Sequence, residues 1–194
     1  MAHELKLDYE PRLIGSRTGA TQTSEFRDLN VKEKIPVLID DDFVLTESAA
    51  IITYLGDTYG DGYNLVPTPL TRERAKYYEW LAYIQMELDA HTLYIMRKHR
   101  DLSEIYGEAP AAIEAAIAGF KKQIQFAENH LDRHKYLISN TFTAADIMLT
   151  SVLTWAIAYG IDINKRLIEY SNLNCARDAY IDAAKLNFSI SPGA

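Results

Sequence analysis

The chain has 194 residues, 48% hydrophobic and 24% charged, enough to bury a core in one large domain or two small ones. Its formal net charge of −7 repels phosphate backbones and argues against a nucleic-acid binder. The single cysteine, Cys175, excludes an intrachain disulfide, and the longest low-charge run, residues 147–161, is shorter than the roughly 20 residues a membrane-spanning helix needs. The opening residues show no secretory leader, so a cytoplasmic protein without a membrane partner is expected.

In chain order, short apolar runs from about Leu7 to Thr46 predict strands at residues 9–14, 36–40 and 43–46. Asp41 and Asp42 suit a tight turn between the last two, and residues 23–30 predict a short helix. Residues 47–59 predict a helix capped by Thr46, with Ile51, Leu55 and Tyr54 facing inward. Gly60, Gly62, Pro67 and Pro69 mark residues 60–70 as a linker. Beyond it all periodicity is helical. Tyr77, Leu81, Ile84 and Leu88 share one face of a helix from Thr71 to about Arg100. Pro110 opens a second helix to about His134, and Thr143 opens a third. Two shorter helices follow, near Lys165 and over residues 175–186, and residues 189–194 are expected to fray.

Three motifs carry information. In Lys34-Ile35-Pro36-Val37-Leu38 a proline starts a strand, where its missing N–H can face away from the ladder. The plain reading is an edge-strand proline, since only about 5–6% of such bonds are cis. A cis bond would turn the Ile35 N–H and C=O outward, to pair with an extended peptide as another strand would. In Thr46-Glu47-Ser48-Ala49-Ala50-Ile51 the plain reading is a capped helix with an acid in its first turn. The same geometry can hold a ligand carboxylate on the first N–H groups and the Ser48 hydroxyl, with Glu47 meeting an amino group. In Phe142-Thr143-Ala144-Ala145-Asp146-Ile147, Thr143 and Asp146 occupy the reciprocal capping positions, and Phe142 and Ile147 the staple positions. That motif is structural. His130 and His134 are spaced i, i+4, but the central Glu of a zinc protease motif is absent and no metal is expected. His91 and His99 carry no motif.

In order and spacing, residues 34–38, residues 45–55 and residues 142–146 resemble the cytosolic glutathione transferase family, and the resemblance covers nearly the whole chain. It implies an α/β thioredoxin-like N-terminal domain over residues 1–59, lacking its first strand. An all-α C-terminal helical domain would follow over residues 71–194. It also implies glutathione as co-substrate, a small hydrophobic electrophile as the second substrate and a homodimer. Pro36 resembles the family's cis-proline, and Ile35 the backbone partner of the cysteinyl unit. Glu47 and Ser48 resemble the pair that holds the γ-glutamyl end. Lys34, with Lys32 beside it, corresponds to the glycyl carboxylate contact. Where the family often has Asn-Pro-x-Gly-Lys, this chain has Asn30-Val31-Lys32-Glu33-Lys34, so Glu33 replaces a small residue near an anionic ligand.

The implied reaction transfers a glutathione thiolate to an electrophile. A free thiol ionises near pH 8.5, so the family stabilises the thiolate with a Ser, Tyr or Cys just after its first strand. Residues 1–9 resemble the end of the first helix and the start of the second strand. Roughly 15–20 family residues then have no counterpart, and Met1 is expected to be an internal methionine of the natural protein. No residue is assigned as catalytic. Tyr9 and Ser16 lie on or after the expected second strand, and Cys175 is expected to be an inert buried thiol. The rival reading is a related binding or scaffold protein without catalysis. Tyr77, Tyr78, Trp80, Tyr83 and Tyr94 are expected to fill the core and a dimer face, with one or two touching substrate.

Overall fold

The computed structural model describes residues 1–15, 18–138 and 140–188. Ser16 and the tail over 189–194 lie outside the described residues. The chain forms two compact units, Met1–Asn64 with Ala176–Ala194, and Leu65–Cys175. No helix among the described residues is long and apolar enough to cross a membrane.

The first unit is thioredoxin-like, with one small sheet and helices. It begins with a single helical turn, Leu5 N–H donating to Met1 O at 3.1 Å, which buries Leu5. Residues 9–14 do not form the expected strand. An extended apolar run becomes a strand only beside a partner that takes up its backbone groups, and no described strand lies beside this one. Helix α1, Ser24–Leu29, is capped by the Thr23 side chain, which accepts from Phe26 N at 3.2 Å. Strands β1, Val37–Asp40, and β2, Phe43–Thr46, pair antiparallel through a turn in which Asp41 takes φ 52°. Helix α2, Ser48–Tyr59, buries Ile51, Ile52 and Leu55.

Among the described residues, the regular elements of the second unit are all helical apart from an isolated bridge. Helix α3, Arg72–Tyr83, is capped by Thr71, whose hydroxyl accepts from Arg74 N at 3.1 Å. The helical path then widens into π turns over Ile84–Leu93 and, after α4, Tyr94–Met96, again over Arg97–Asp101. The single long helix expected here is thus interrupted. Its apolar face survives, and Tyr77, Ile84 and Leu88 are all 0% exposed. After the short α5, Ser103–Tyr106, come α6, Pro110–Gln123, and α7, Gln125–Leu131, where one helix to about His134 was expected. Helices α8, Ala144–Ala158, and α9, Lys165–Cys175, complete the unit.

The predicted capping box opens α8. The Asp146 carboxylate accepts from Thr143 N at 2.8 Å and from the Thr143 hydroxyl at 2.9 Å. It also accepts from Leu137 N at 3.0 Å and from the Tyr170 hydroxyl at 2.7 Å. The last helix, α10, Asp178–Asn187, belongs with the first unit rather than with the helical part of the chain. Just before it, Arg177 grips Glu4 with two bonds of 2.6 and 2.7 Å.

Candidate functional site

The first unit carries the sequence-predicted binding residues at one end of its hairpin, Lys34, Ile35 and Pro36 before β1 and Glu47 and Ser48 after β2. Val37 pairs with Thr46 as the last pair of the hairpin; Pro36 adjoins that pair on one strand and Glu47 on the other, and Ser48 follows as the first residue of α2. The Ile35–Pro36 bond is cis. Ile35 is 45% exposed, and Lys34 and Pro36 are exposed beside it. The hairpin thus delivers a strand end and a helix mouth to the same place. Tyr54 and Tyr59 of α2 donate to one oxygen of Asp40 at 2.7 and 2.5 Å and tie the helix to the far end of the hairpin. These bonds hold the Asp40 carboxyl below its ordinary range and push the Tyr59 hydroxyl up to about 12.

Thr46 does not cap α2. It ends β2, and Glu47 takes the N-cap position at φ 73°, ψ 119°, with no side-chain cap. A non-glycine residue in that region costs on the order of 1–3 kcal/mol, a cost that concentrates where a site must be held open. Here the turn leaves the first amides of a 12-residue helix without a capping side chain, next to the half-buried Ser48.

The loop before Ile35 is ordered by Asn30, which is 5% exposed. Its side chain accepts from Lys32 N at 3.1 Å and donates to Lys34 O at 2.7 Å. Glu33 pairs with Arg27 at 2.6 Å, so its carboxylate does not stand unneutralised beside the strand end. The Lys32 ammonium donates to Thr46 Oγ1 at 2.9 Å and to Glu47 Oε1. Sequence reasoning named Lys32 and Glu47 but not this pairing. They are 15 residues apart, and only the hairpin register brings them together.

In the second unit the aromatic helix divides its roles. Tyr77 and Trp80 are buried, Tyr78 is 51% exposed beside Arg74, and the Tyr83 hydroxyl donates to Gln123 O at 2.6 Å. His130 and His134 stack with ring centroids 4.4 Å apart. His130 Nε2 lies 3.1 Å from Tyr136 O. Among the described residues no group of three or more His, Cys, Asp or Glu could hold a metal ion. Cys175 ends α9 half-buried rather than fully buried, its Sγ 3.9 Å from Ser171 Oγ. Tyr9 is 42% exposed, and its hydroxyl lies 3.0 Å from His3 Nε2.

Two family models match the chain: the glutathione S-transferase N-terminal domain over residues 1–57 and the C-terminal domain over residues 110–174. Glutathione S-transferase GstA of Escherichia coli O157:H7 is 30% identical over 145 residues, 73% of this chain and 66% of that one. Glutathione S-transferase 3 of Zea mays is 33% identical over 156 residues, 74% of this chain and 65% of that one. The chain therefore spans just under two thirds of the length of these relatives. The glutathione transferase URE2P6 of Phanerochaete chrysosporium, solved with oxidized glutathione, superposes with TM-score 0.85 at 23% identity, over 98% of this chain and 89% of that one. At that identity the likeness concerns the fold.

Proposed function

The chain belongs to the glutathione S-transferase family, and we propose that its first unit binds glutathione for transfer of the thiolate to a small hydrophobic electrophile. The observation that supports this reading is the Val37–Thr46 pair, which adjoins the cis Ile35–Pro36 bond on one strand and Glu47 and Ser48 on the other. The outward backbone of Ile35 pairs with the cysteinyl unit as an added strand would. The Ser48 hydroxyl and the first amides of α2 receive the γ-glutamyl carboxylate, where the helix N-terminus favours negative charge. Glu47 meets the α-ammonium, and Lys34 the glycyl carboxylate. With Glu33 neutralised by Arg27, the objection that an acid stands near an anionic ligand is weakened.

The reaction follows from positioning. A thiol held against an electrophile attacks as its thiolate, forming the new bond at sulfur while its proton, and the electrophile's leaving group where it has one, pass to water. The residue that assists the proton's departure is unassigned. We place the protein in the cytoplasm, in keeping with one cysteine and no disulfide, and as a homodimer using exposed side chains such as Tyr78.

Calorimetric titration with glutathione tests the site. Ser48→Ala and Glu47→Ala should each weaken binding by roughly tenfold or more, the worth of a hydrogen bond to a charged group. Binding that persists unchanged in both variants rejects the site. Conjugation of an aromatic electrophile, followed by absorbance, then separates an enzyme from a binding module.

A further inference from the structure

We propose that Lys32 is a specificity-determining residue of this site, an internal ammonium that occupies Glu47 until a ligand's own α-ammonium replaces it. The inference rests on the reading of Glu47 as the anchor of the γ-glutamyl end. Lys32 Nζ donates to Glu47 Oε1 and, at 2.9 Å, to Thr46 Oγ1. That is the donor pattern of any primary ammonium, and the γ-glutamyl head carries the same group.

The surroundings set Lys32 to this task. The buried Asn30 grips the backbone on both sides of Glu33, through Lys32 N and Lys34 O, and so fixes where the Lys32 side chain starts. Arg27 takes the Glu33 carboxylate, the acid next to Lys32 in sequence, and leaves Lys32 to Glu47. The Lys32 and Glu47 side chains are 44% and 62% exposed, so water reaches the pair and the exchange needs no movement of the fold. An exposed pair of this kind couples weakly, so it handicaps an incoming ammonium by about two- to fivefold.

The arrangement narrows the difference in affinity between head groups with and without an α-ammonium. A ligand with an α-ammonium exchanges like for like and leaves Glu47 paired. A ligand of the same shape without that group finds Glu47 already neutralised and gains nothing from it. Removing the Lys32 charge reverses both effects. The ammonium-bearing ligand meets a vacant partner, and the deaminated one meets a bare carboxylate.

The test is calorimetric titration of the full chain with glutathione and with its analogue in which hydrogen replaces the α-amino group. Wild type, Lys32→Met, Lys32→Arg, Glu47→Gln and the Lys32→Met, Glu47→Gln double variant are compared, each checked by thermal melting. Lys32→Met should bind glutathione about two- to fivefold tighter and the deaminated analogue more weakly. Lys32→Arg should stay near wild type, and the gain should vanish in the Glu47→Gln background. Glutathione binding that is unchanged or weaker in Lys32→Met overturns the proposal, and weaker binding makes Lys32 a direct contact to a ligand carboxylate instead. If wild type and every variant fail to bind glutathione, the reading of the pocket as a glutathione site fails, and this inference falls with it.

Discussion

In the helical unit Leu88, Leu93, Leu149, Leu153 and Leu167 are 0% exposed, whereas in the sheet unit Ile39, Phe43 and Val44 of the hairpin are 46%, 44% and 38% exposed. Apolar burial stabilises by roughly 25 cal/mol per Å² removed from water, so a half-covered isoleucine contributes about half of what a covered one does. The helical unit thus holds most of the packing. The sheet unit holds the candidate site on its less covered surface. Binding elements commonly sit in the less stable part of a protein, because they must accept a ligand as well as hold a shape.

The sharpest way to break this contrast is to cut the best-satisfied polar group of the helical unit. Asp146→Ala removes the acceptor of two backbone amides and two hydroxyls at a position that is 0% exposed. Urea denaturation should show a loss of about 3–5 kcal/mol, from several buried donors left unpaired. A loss under about 1 kcal/mol would mean that the helical unit does not depend on its capping network.

Arg177→Ala tests the sheet unit at its best-made joint. The Arg177 and Glu4 side chains are 35% and 13% exposed, so the loss should be smaller, about 1–2 kcal/mol. Hydrogen exchange should rise in residues 1–7 and in α10 and stay unchanged in α8. Exchange that rose equally everywhere would show one cooperative block in place of two units.

A smaller effect comes from pH. Burial first, then the nearby charges of His134 and Lys76, lower the protonation pKa of His130 below its ordinary value near 6.5. Between that lowered value and 6.5 the unfolded chain binds more protons, so stability rises with pH and falls on acidification through this window. His130→Gln should flatten that part of the stability profile. An unchanged slope would assign the dependence to other groups. The smallest effect is expected from Ile39→Thr, within about 0.5 kcal/mol by denaturant titration, because nearly half of that side chain already faces water. A loss of 2 kcal/mol there would show that the hairpin face is covered in solution.

Much of this was legible in the residues. The box at Thr143 and Asp146 could be read because its parts are neighbours in the chain, and both reciprocal bonds are present. The hairpin could be read from two apolar runs around Asp41 and Asp42, and its register pairs Val37 with Thr46, next to Pro36 and Glu47. What failed depended on distant partners. Residues 9–14 have the composition of a strand, but no described strand pairs with them. Thr46 has the chemistry of a cap, yet the turn at Glu47 removes it from the helix start and Lys32 takes its oxygen. The widening of the helical path after Tyr83 leaves no mark on a pattern in which the same residues stay buried.

The clasp between Glu4 and Arg177 also sets an order of assembly. The first unit is discontinuous, with the whole of Leu65–Cys175 inserted between its two pieces. On a ribosome the inserted helices have all their contacts available before Arg177 emerges. Glu4, made early, must wait for Arg177 to reach it. The helical turn that buries Leu5 is therefore among the last parts of the first unit to be clasped, and a translational pause just before residue 177 would leave Glu4 without this partner.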